Sequence, residues 1–343
     1  MTIENAVTED GASPAGGIGS TAAHSDTIID VHGLTKVYGE QRALDGIDLS
    51  VQRGVVVGLI GPSGCGKTTL VRSLTGIIKP TSGQIRVFGT DPAKFTTRQR
   101  RRFGYMPQLP VLFPNLSVWN NLSFIASVYG MGIKNRRKHL LELLELVDLG
   151  PHRKKRLSDC SSGMQRRLTL AATLVHSPEL LYLDEPTAGV DPILRERFWT
   201  HFRTLRDEGR TIVVPTQYVG EAVSCDVVAV MAHGRLITVQ APAKLAHFAY
   251  GGDPMTVDLG GGWMPGSEVA RLRDEDYVKR VKRTEEGLTV IVKDGEADAR
   301  RLEEFFSRAD IQIGEVTPLE PTFDDIFFEI IEAHGTETER TAA

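Results

Sequence analysis

Two short segments of this 343-residue chain carry residue types and spacings suited to chemistry. Gly61-Pro62-Ser63-Gly64-Cys65-Gly66-Lys67-Thr68 matches G-x-x-x-x-G-K-[ST] at every fixed position. Phosphates carry dense negative charge, and main-chain N–H groups can surround them only where side chains do not intrude, which is what recurring glycines allow. The helix expected after this loop adds the partial positive charge of its N-terminus. Lys67 is expected to reach the β- and γ-phosphates and the Thr68 hydroxyl to ligate Mg²⁺, with Thr69 beside them in the phosphate-binding set. The second segment, Leu180-Leu181-Tyr182-Leu183-Asp184-Glu185, reads as a buried strand ending in two acids. Acids so placed sit at the carboxyl edge of a parallel sheet, where open α/β folds bind ligands. Asp184 is expected to hold Mg²⁺ through water, and Glu185, on the opposite side of the pleat, to polarise an attacking water.

These segments need a scaffold. From Ile28 the pattern alternates, and "ALDGIDLSVQRGVVVGLIG" reads as strand, turn, strand. Val55 to Ile60 is apolar throughout, which predicts a strand covered on both faces. Leu109 to about Ser177 reads mostly helical, with Val118, Leu122, Ile125, Ala126 and Tyr129 on one face behind a Ser117 cap, and Leu140, Leu143, Leu144 and Val147 on another. Strands over Leu180–Leu183 and Thr211–Val214 flank a helix from Ile193 to Glu208, so strand–helix alternation resumes. After about Ala241 the texture changes. Gly251 to Gly266 is dense in glycine. Beyond it come strands near Val278–Val281 and Leu288–Val292, a helix near Asp298–Ala309, a strand over Ile311–Val316 and a helix over Phe323–Ile331. The organisation expected is a disordered tail over 1–26, a main domain over 27–240 with a helical subdomain at about 109–177, a small α+β domain over 241–335, and a frayed end over 336–343.

Composition narrows the function classes. The formal net charge is −4, from 40 Lys+Arg against 44 Asp+Glu, so a global basic field for gripping nucleic acid is not expected. Cys65, Cys160 and Cys225 are widely separated and lack C-x-x-C spacing, which argues for reduced thiols rather than a disulfide framework or a structural zinc site. No run approaches the ~18 apolar residues of a membrane span, and the N-terminus carries acids where a signal peptide needs Lys or Arg. The chain is expected neither to cross a membrane nor to be exported. Arg98/Arg100/Arg101/Arg102, Arg136/Arg137/Lys138 and Arg153/Lys154/Lys155/Arg156 form local basic runs. These read as solvated faces or as contacts with anionic lipid head groups or a protein partner.

With these residues in view, the stretch from about 28 to 240 resembles an ABC-transporter nucleotide-binding subunit. "GYMPQ", ending in Gln108, looks like the Q-loop, "CSSGMQRRLTLAATL" like the ABC signature, and "LLYLDEPTAGVDP" like Walker B followed by a D-loop around Asp191. Tyr38 matches the aromatic position that stacks on adenine. Finer texture, including "MPQLPVLFPNLSVWNNLSFIASVYGM" and the tail "PTFDDIFFEII", resembles the ABC-2 exporter branch of daunorubicin-resistance-type drug and polysaccharide exporters. The resemblance implies an α/β fold, a P-loop NTPase of ABC type with a RecA-like core and helical subdomain, plus the small C-terminal α+β domain. It implies ATP and Mg²⁺, with Thr68, Gln108 and Asp184 as metal ligands. It also implies two copies, or a heterodimer, sandwiching ATP between one copy's phosphate loop and the other's Ser161 and Gly163. The partner implied is an ABC-2-type transmembrane permease, holding the chain at the inner face of the membrane, with no nucleic acid partner.

Two positions depart from the family pattern. Ser162 stands where the first signature glycine is usual; a φ > 0 there would cost serine roughly 1–2 kcal/mol more than glycine. Gln217 stands where the switch histidine is expected, in the catalytic set with Glu185 and Lys67. Its amide can donate to a γ-phosphate but carries no charge and relays no proton, so either hydrogen bonding is preserved or hydrolysis is slow. The rival readings are a weakly hydrolysing nucleotide-gated regulatory subunit and a non-transport ABC ATPase acting on nucleic acid or ribosomes.

Overall fold

The computed structural model describes residues 26–260, 262–284 and 287–341; the tail over 1–25 lies outside the described residues. Two compact units divide between Gln240 and Ala241, each with its own apolar core.

In the first unit, β1 (Thr27–Tyr38) and β2 (Gln41–Gln52) are followed by β3 (Val56–Ile60), α1 (Lys67–Leu74), β4 (Ser82–Val87), the one-turn α2 (Thr97–Arg100) and β5 (Phe103–Met106). Helices α3 (Val118–Val128), α4 (Ile133–Leu146) and α5 (Ser162–Leu174) intervene. Alternation then resumes with β6 (Leu180–Leu183), α6 (Pro192–Asp207), β7 (Thr211–Thr216), β8 (Val227–Ala232) and β9 (Arg235–Gln240). One sheet has the order β2-β1-β4 and is antiparallel; the larger runs β5-β6-β7-β3-β8-β9. Its first five strands are parallel, and β9 closes the edge antiparallel to β8. Every residue of β3 is buried, as its unbroken apolar run requires, because β7 and β8 flank it.

The helical subdomain follows its sequence periodicity from Val118 onward. Ser117 Oγ accepts from the Asn120 N–H, and Val118, Leu122 and Ala126 are buried on one face of α3. Two further N-terminal N–H groups of that helix region, of Val118 and Trp119, donate to Lys155 O and Arg153 O at 2.9 Å. The stretch from Leu109 to Leu116 is not helical. Buried Asn121 holds it in loop form, its Oδ1 accepting from the Phe113 N–H at 2.9 Å and its Nδ2 donating to Phe113 O. On α4 and its C-cap, Leu140, Leu143, Leu144 and Val147 are all buried.

The second unit contains α7 (Leu245–Tyr250), β10 (Asp253–Asp258), α8 (Gly266–Arg273), β11 (Val278–Arg283), β12 (Gly287–Val292), α9 (Gly295–Arg308), β13 (Val316–Pro318) and α10 (Phe323–Thr341). The sheet order β11-β12-β10-β13, antiparallel throughout, makes β10 to β13 with α8 and α9 a β-α-β-β-α-β split βαβ unit. Four details differ from the sequence reading. The glycine-dense stretch holds β10, whose Met255 and Val257 are buried in the core. Helix α9 starts at Gly295 because Asp294 Oδ1 accepts from the Glu296 and Ala297 N–H groups. Ile311 and Ile313 pack against the core as alternation predicts. However, Asp258 ends β10 by bonding Gly314 N–H and Glu315 O, so the paired strand begins only at Val316. Finally, α10 runs on through Thr341.

Candidate functional site

Four adjacent parallel strands, in the order β5-β6-β7-β3, end at one sheet edge. Register fixes which residues emerge there: Met106 opposes Leu183, and Ile60 opposes Thr216. Gln108 therefore stands two residues past the end of β5, Asp184 and Glu185 just past β6, Gln217 just past β7 and Gly61 just past β3. Motifs scattered over more than a hundred residues of sequence are collected at the carboxyl edge, the ligand edge of such sheets.

The loop from Gly61 to Gly66 turns from β3 into α1. Two glycines are dictated by close approach. A Cβ on Gly61 would lie 2.3 Å from Met231 O, and one on Gly66, at φ +110°, would lie 2.5 Å from Ala43 O. Lys67 is buried at 8% exposure, and its Nζ donates to Gly61 O at 2.7 Å and Pro62 O at 2.9 Å. The loop's carbonyls thus hold the ammonium against the loop, while Pro62, Ser63 and Gly64 are exposed. Burial pushes the Cys65 thiol up, opposed by the neighbouring Lys67 charge.

Thr68 Oγ1 donates to Asp184 Oδ2 at 3.1 Å, so α1 and the end of β6 meet above β7. Asp184 is 2% exposed, and burial raises its carboxyl above the usual range, opposed by the Thr68 hydrogen bond. A hydroxyl and a carboxylate converging beside this loop could together serve as oxygen donors to a hard divalent cation. Gln108 belongs to that edge, but among the described residues neither its side chain nor that of Gln217 makes a hydrogen bond, and both are exposed.

Tyr38 ends β1 at 45% exposure, with Lys36 Nζ 4.9 Å from its ring centroid. It pairs with Gln41, on the hairpin whose Ala43 abuts Gly66, so an open aromatic face stands on the strand pair that touches the loop. Ser161 caps α5, Oγ accepting from the Met164 N–H at 3.3 Å, and is exposed. Ser162 is the first residue of α5 and has no positive φ, so the penalty conditional on φ > 0 does not arise. No atom lies within 4 Å of a Cβ placed on Gly163. Asp191 caps α6, its Oδ1 accepting from the Leu194 N–H at 3.0 Å, with Pro192 at the first helical position.

Two residues that the sequence reading assigned no role complete this edge. Glu221, 5% exposed, accepts from Thr187 Oγ1 and, at 3.0 Å, from Thr216 Oγ1, and its carboxylate lies 4.0 Å from Arg195 Nε. Thr216 Oγ1 in turn accepts from the Tyr218 N–H at 3.0 Å. One carboxylate therefore ties the turn after Glu185, the helix after Asp191 and both neighbours of Gln217. Arg166 of α5 donates to Asp184 O at 3.1 Å and to Glu185 O at 2.9 Å. The sequence signal available was a glutamate four residues past Gln217 and an arginine five past Ser161; neither announces its partners.

Comparison with known proteins places this geometry in a family. The family model described as ABC transporter matches residues 44–188. A daunorubicin resistance ATP-binding protein, DrrA3 of Streptomyces coeruleorubidus, is 40% identical over 249 residues, 72% of this chain and 78% of that protein. The Nod factor export ATP-binding protein I of Ralstonia nicotianae is 38% identical over 245 residues, 71% of this chain and 75% of its own length. The probable multidrug ABC transporter ATP-binding protein YbhF of Escherichia coli is 36% identical over 235 residues; the chain spans 41% of that longer relative. Among solved structures, an ATP-binding subunit of an ABC transporter superposes with a TM-score of 0.61 at 26% identity, over 66% of this chain and 94% of that one. A dimeric bacterial ABC transporter cassette, MJ0796, gives 0.58 at 26%, over 62% of this chain and 98% of that one. The ABC-type cassette fold expected from sequence is the fold observed, and the chain belongs to the family of ABC transporter ATP-binding proteins.

Proposed function

We propose that this chain is the ATP-binding and ATP-hydrolysing subunit of an ABC-2-type exporter, acting as a pair of copies or with a second ATPase subunit. It works with a separate transmembrane permease at the inner face of the membrane. The observation that carries this reading is the convergence of Lys67, Thr68 and Asp184 on one sheet edge, with the phosphate loop open beside them. The named relatives in drug resistance and Nod factor export support the exporter branch. No described helix is long and apolar enough to cross a membrane.

In this reading Tyr38 stacks on adenine, and the N–H groups from Ser63 to Thr69 cradle the phosphates. Lys67 exchanges its two loop carbonyls for phosphate oxygens. Thr68 and Asp184, with Gln108, would hold Mg²⁺, which when bound neutralises charge on the phosphates. Glu185 accepts a proton from the attacking water, while Gln217, exposed at the end of β7, donates its amide N–H to the γ-phosphate. Ser161 and the first N–H groups of α5 face the ATP held by the other copy, so triphosphate joins the copies and hydrolysis releases them. Lys67→Ala is expected to abolish ATP binding in equilibrium titration and ATP-induced pairing in size-exclusion chromatography. Unchanged affinity and pairing would overturn the proposal.

A further inference from the structure

Arg166 has no part in the mechanism just given, yet it is the side chain that binds the two acids' main chain to another helix. It lies on α5 five residues after Ser161, with 16% of its side chain exposed. Its guanidinium leaves its own helix for three carbonyls in two other segments. Nη1 donates to Gln108 O at 3.4 Å, Nη2 to Asp184 O at 3.1 Å, and Nε to Glu185 O at 2.9 Å, with Nη2 also on Glu185 O. Nη2 further lies 3.8 Å from the Glu185 carboxylate, itself only 13% exposed.

Glu185 has φ +52°, in the left-handed region that residues carrying a Cβ rarely adopt. Such a backbone persists where its surroundings over-determine it. Here the Glu185 N–H donates to Pro215 O at 2.8 Å, from β7, and its carbonyl is taken by Arg166. The sheet grips one end of the residue and α5 the other.

We propose that Arg166 is a positioning residue that sets the turn at Glu185 and aims its carboxylate, making α5 a rigid link between Ser161 at its start and the water-activating acid of the same copy. This rests on the reading of Glu185 as base and of Ser161 as facing the other copy's ATP. Movement of α5 as it engages the second nucleotide then reaches Glu185 through one side chain, so each site senses the other's occupancy. The fork matters as much as the charge. An ammonium in the same place has a single nitrogen and cannot supply the separate Nη1 and Nε donors that reach Gln108 O and Glu185 O from either side.

The test is a double-mutant cycle on the full chain, with ATPase rates measured against ATP concentration for the unmodified protein, Arg166→Lys, Arg166→Gln, Glu185→Gln and Glu185→Gln/Arg166→Lys. Melting curves are taken for each. Arg166→Lys should lower kcat about tenfold or more while KM for ATP stays within about twofold. On the Glu185→Gln background, in long single-turnover experiments, Arg166→Lys should cause no further loss, because the residue it acts through is gone. Rates of both Arg166 variants within twofold of the unmodified protein overturn the proposal. So does an equal fractional loss on the two backgrounds, which marks general loosening whether or not the melting point falls. Absence of turnover by the unmodified protein overturns the underlying reading of the site and this inference with it; turnover insensitive to Arg166 removes only the inference.

Discussion

At the scale of the residue, Asp184 is a carboxyl 2% exposed to solvent. Its carboxyl is raised by burial, so the folded chain binds that proton more readily than the unfolded chain does. Stability therefore falls as pH rises from the ordinary carboxylate range through the raised value. Asp184→Asn keeps an oxygen for the Thr68 hydroxyl but removes the charge. The expected outcome is a higher melting temperature at pH 7, about 2–4 °C for each kcal/mol relieved, that narrows as the pH is lowered toward 4, together with loss of Mg²⁺-dependent ATP turnover. A calorimetric scan across pH checks the first part and a phosphate-release assay the second. At Gln217 the exposed, unbonded side chain leaves room for an imidazole, so Gln217→His should raise turnover several-fold, measured with the permease present; an unchanged or lower rate would show a pocket adapted to glutamine. The gathering of Lys67, Thr68 and Asp184 at one sheet edge was legible in sequence because the local spacing of the loop and the two acids carries it. The contacts of Glu221 and Arg166 were not, since their partners lie 5–58 residues away in the chain and polar side chains give no periodic signal.

At the scale of elements, what joins the strand ends is a small set of buried polar ties. Glu221 connects Thr187, Thr216 and the Arg195 side of α6. Glu221→Ala would leave two threonine hydroxyls and a partly buried guanidinium short of partners. It should cost about 1–3 kcal/mol, read from the midpoint of urea unfolding, and should depress turnover because the Thr216 hydroxyl beside Gln217 loses its anchor. The helix start read from a cap, at Ser117, is the one observed, and Ser161 and Asp191 likewise accept a first-turn N–H at the starts of α5 and α6. Where the pattern misled, competing polar groups explain it. Buried Asn121 keeps Leu109 to Leu116 out of a helix, Asp294 draws α9 back to Gly295, and glycines on either side obscured β10.

For the whole molecule, the informative property is that each unit encloses its own core. The first is built around β1 to β4 and the central strands, the second around Met255, Val257, Leu302, Phe305 and Phe306. A fragment beginning at Ala241 should therefore fold alone, with a mixed α/β circular dichroism spectrum and a cooperative melt. A gradual, non-cooperative melt of that fragment would show that it depends on the first unit. The sequence marked this division by a change of texture near Ala241 but not the split βαβ topology, which depends on β12 inserting between β10 and β11, a long-range choice that local pattern does not encode.

The ammonium of Lys67, already satisfied by Gly61 O and Pro62 O, has an energetic corollary. In the reading proposed above, capturing a nucleotide would swap one pair of oxygen partners for another, so the attraction felt by the incoming anion would be a difference between two similar solvations rather than the full strength of an ion pair.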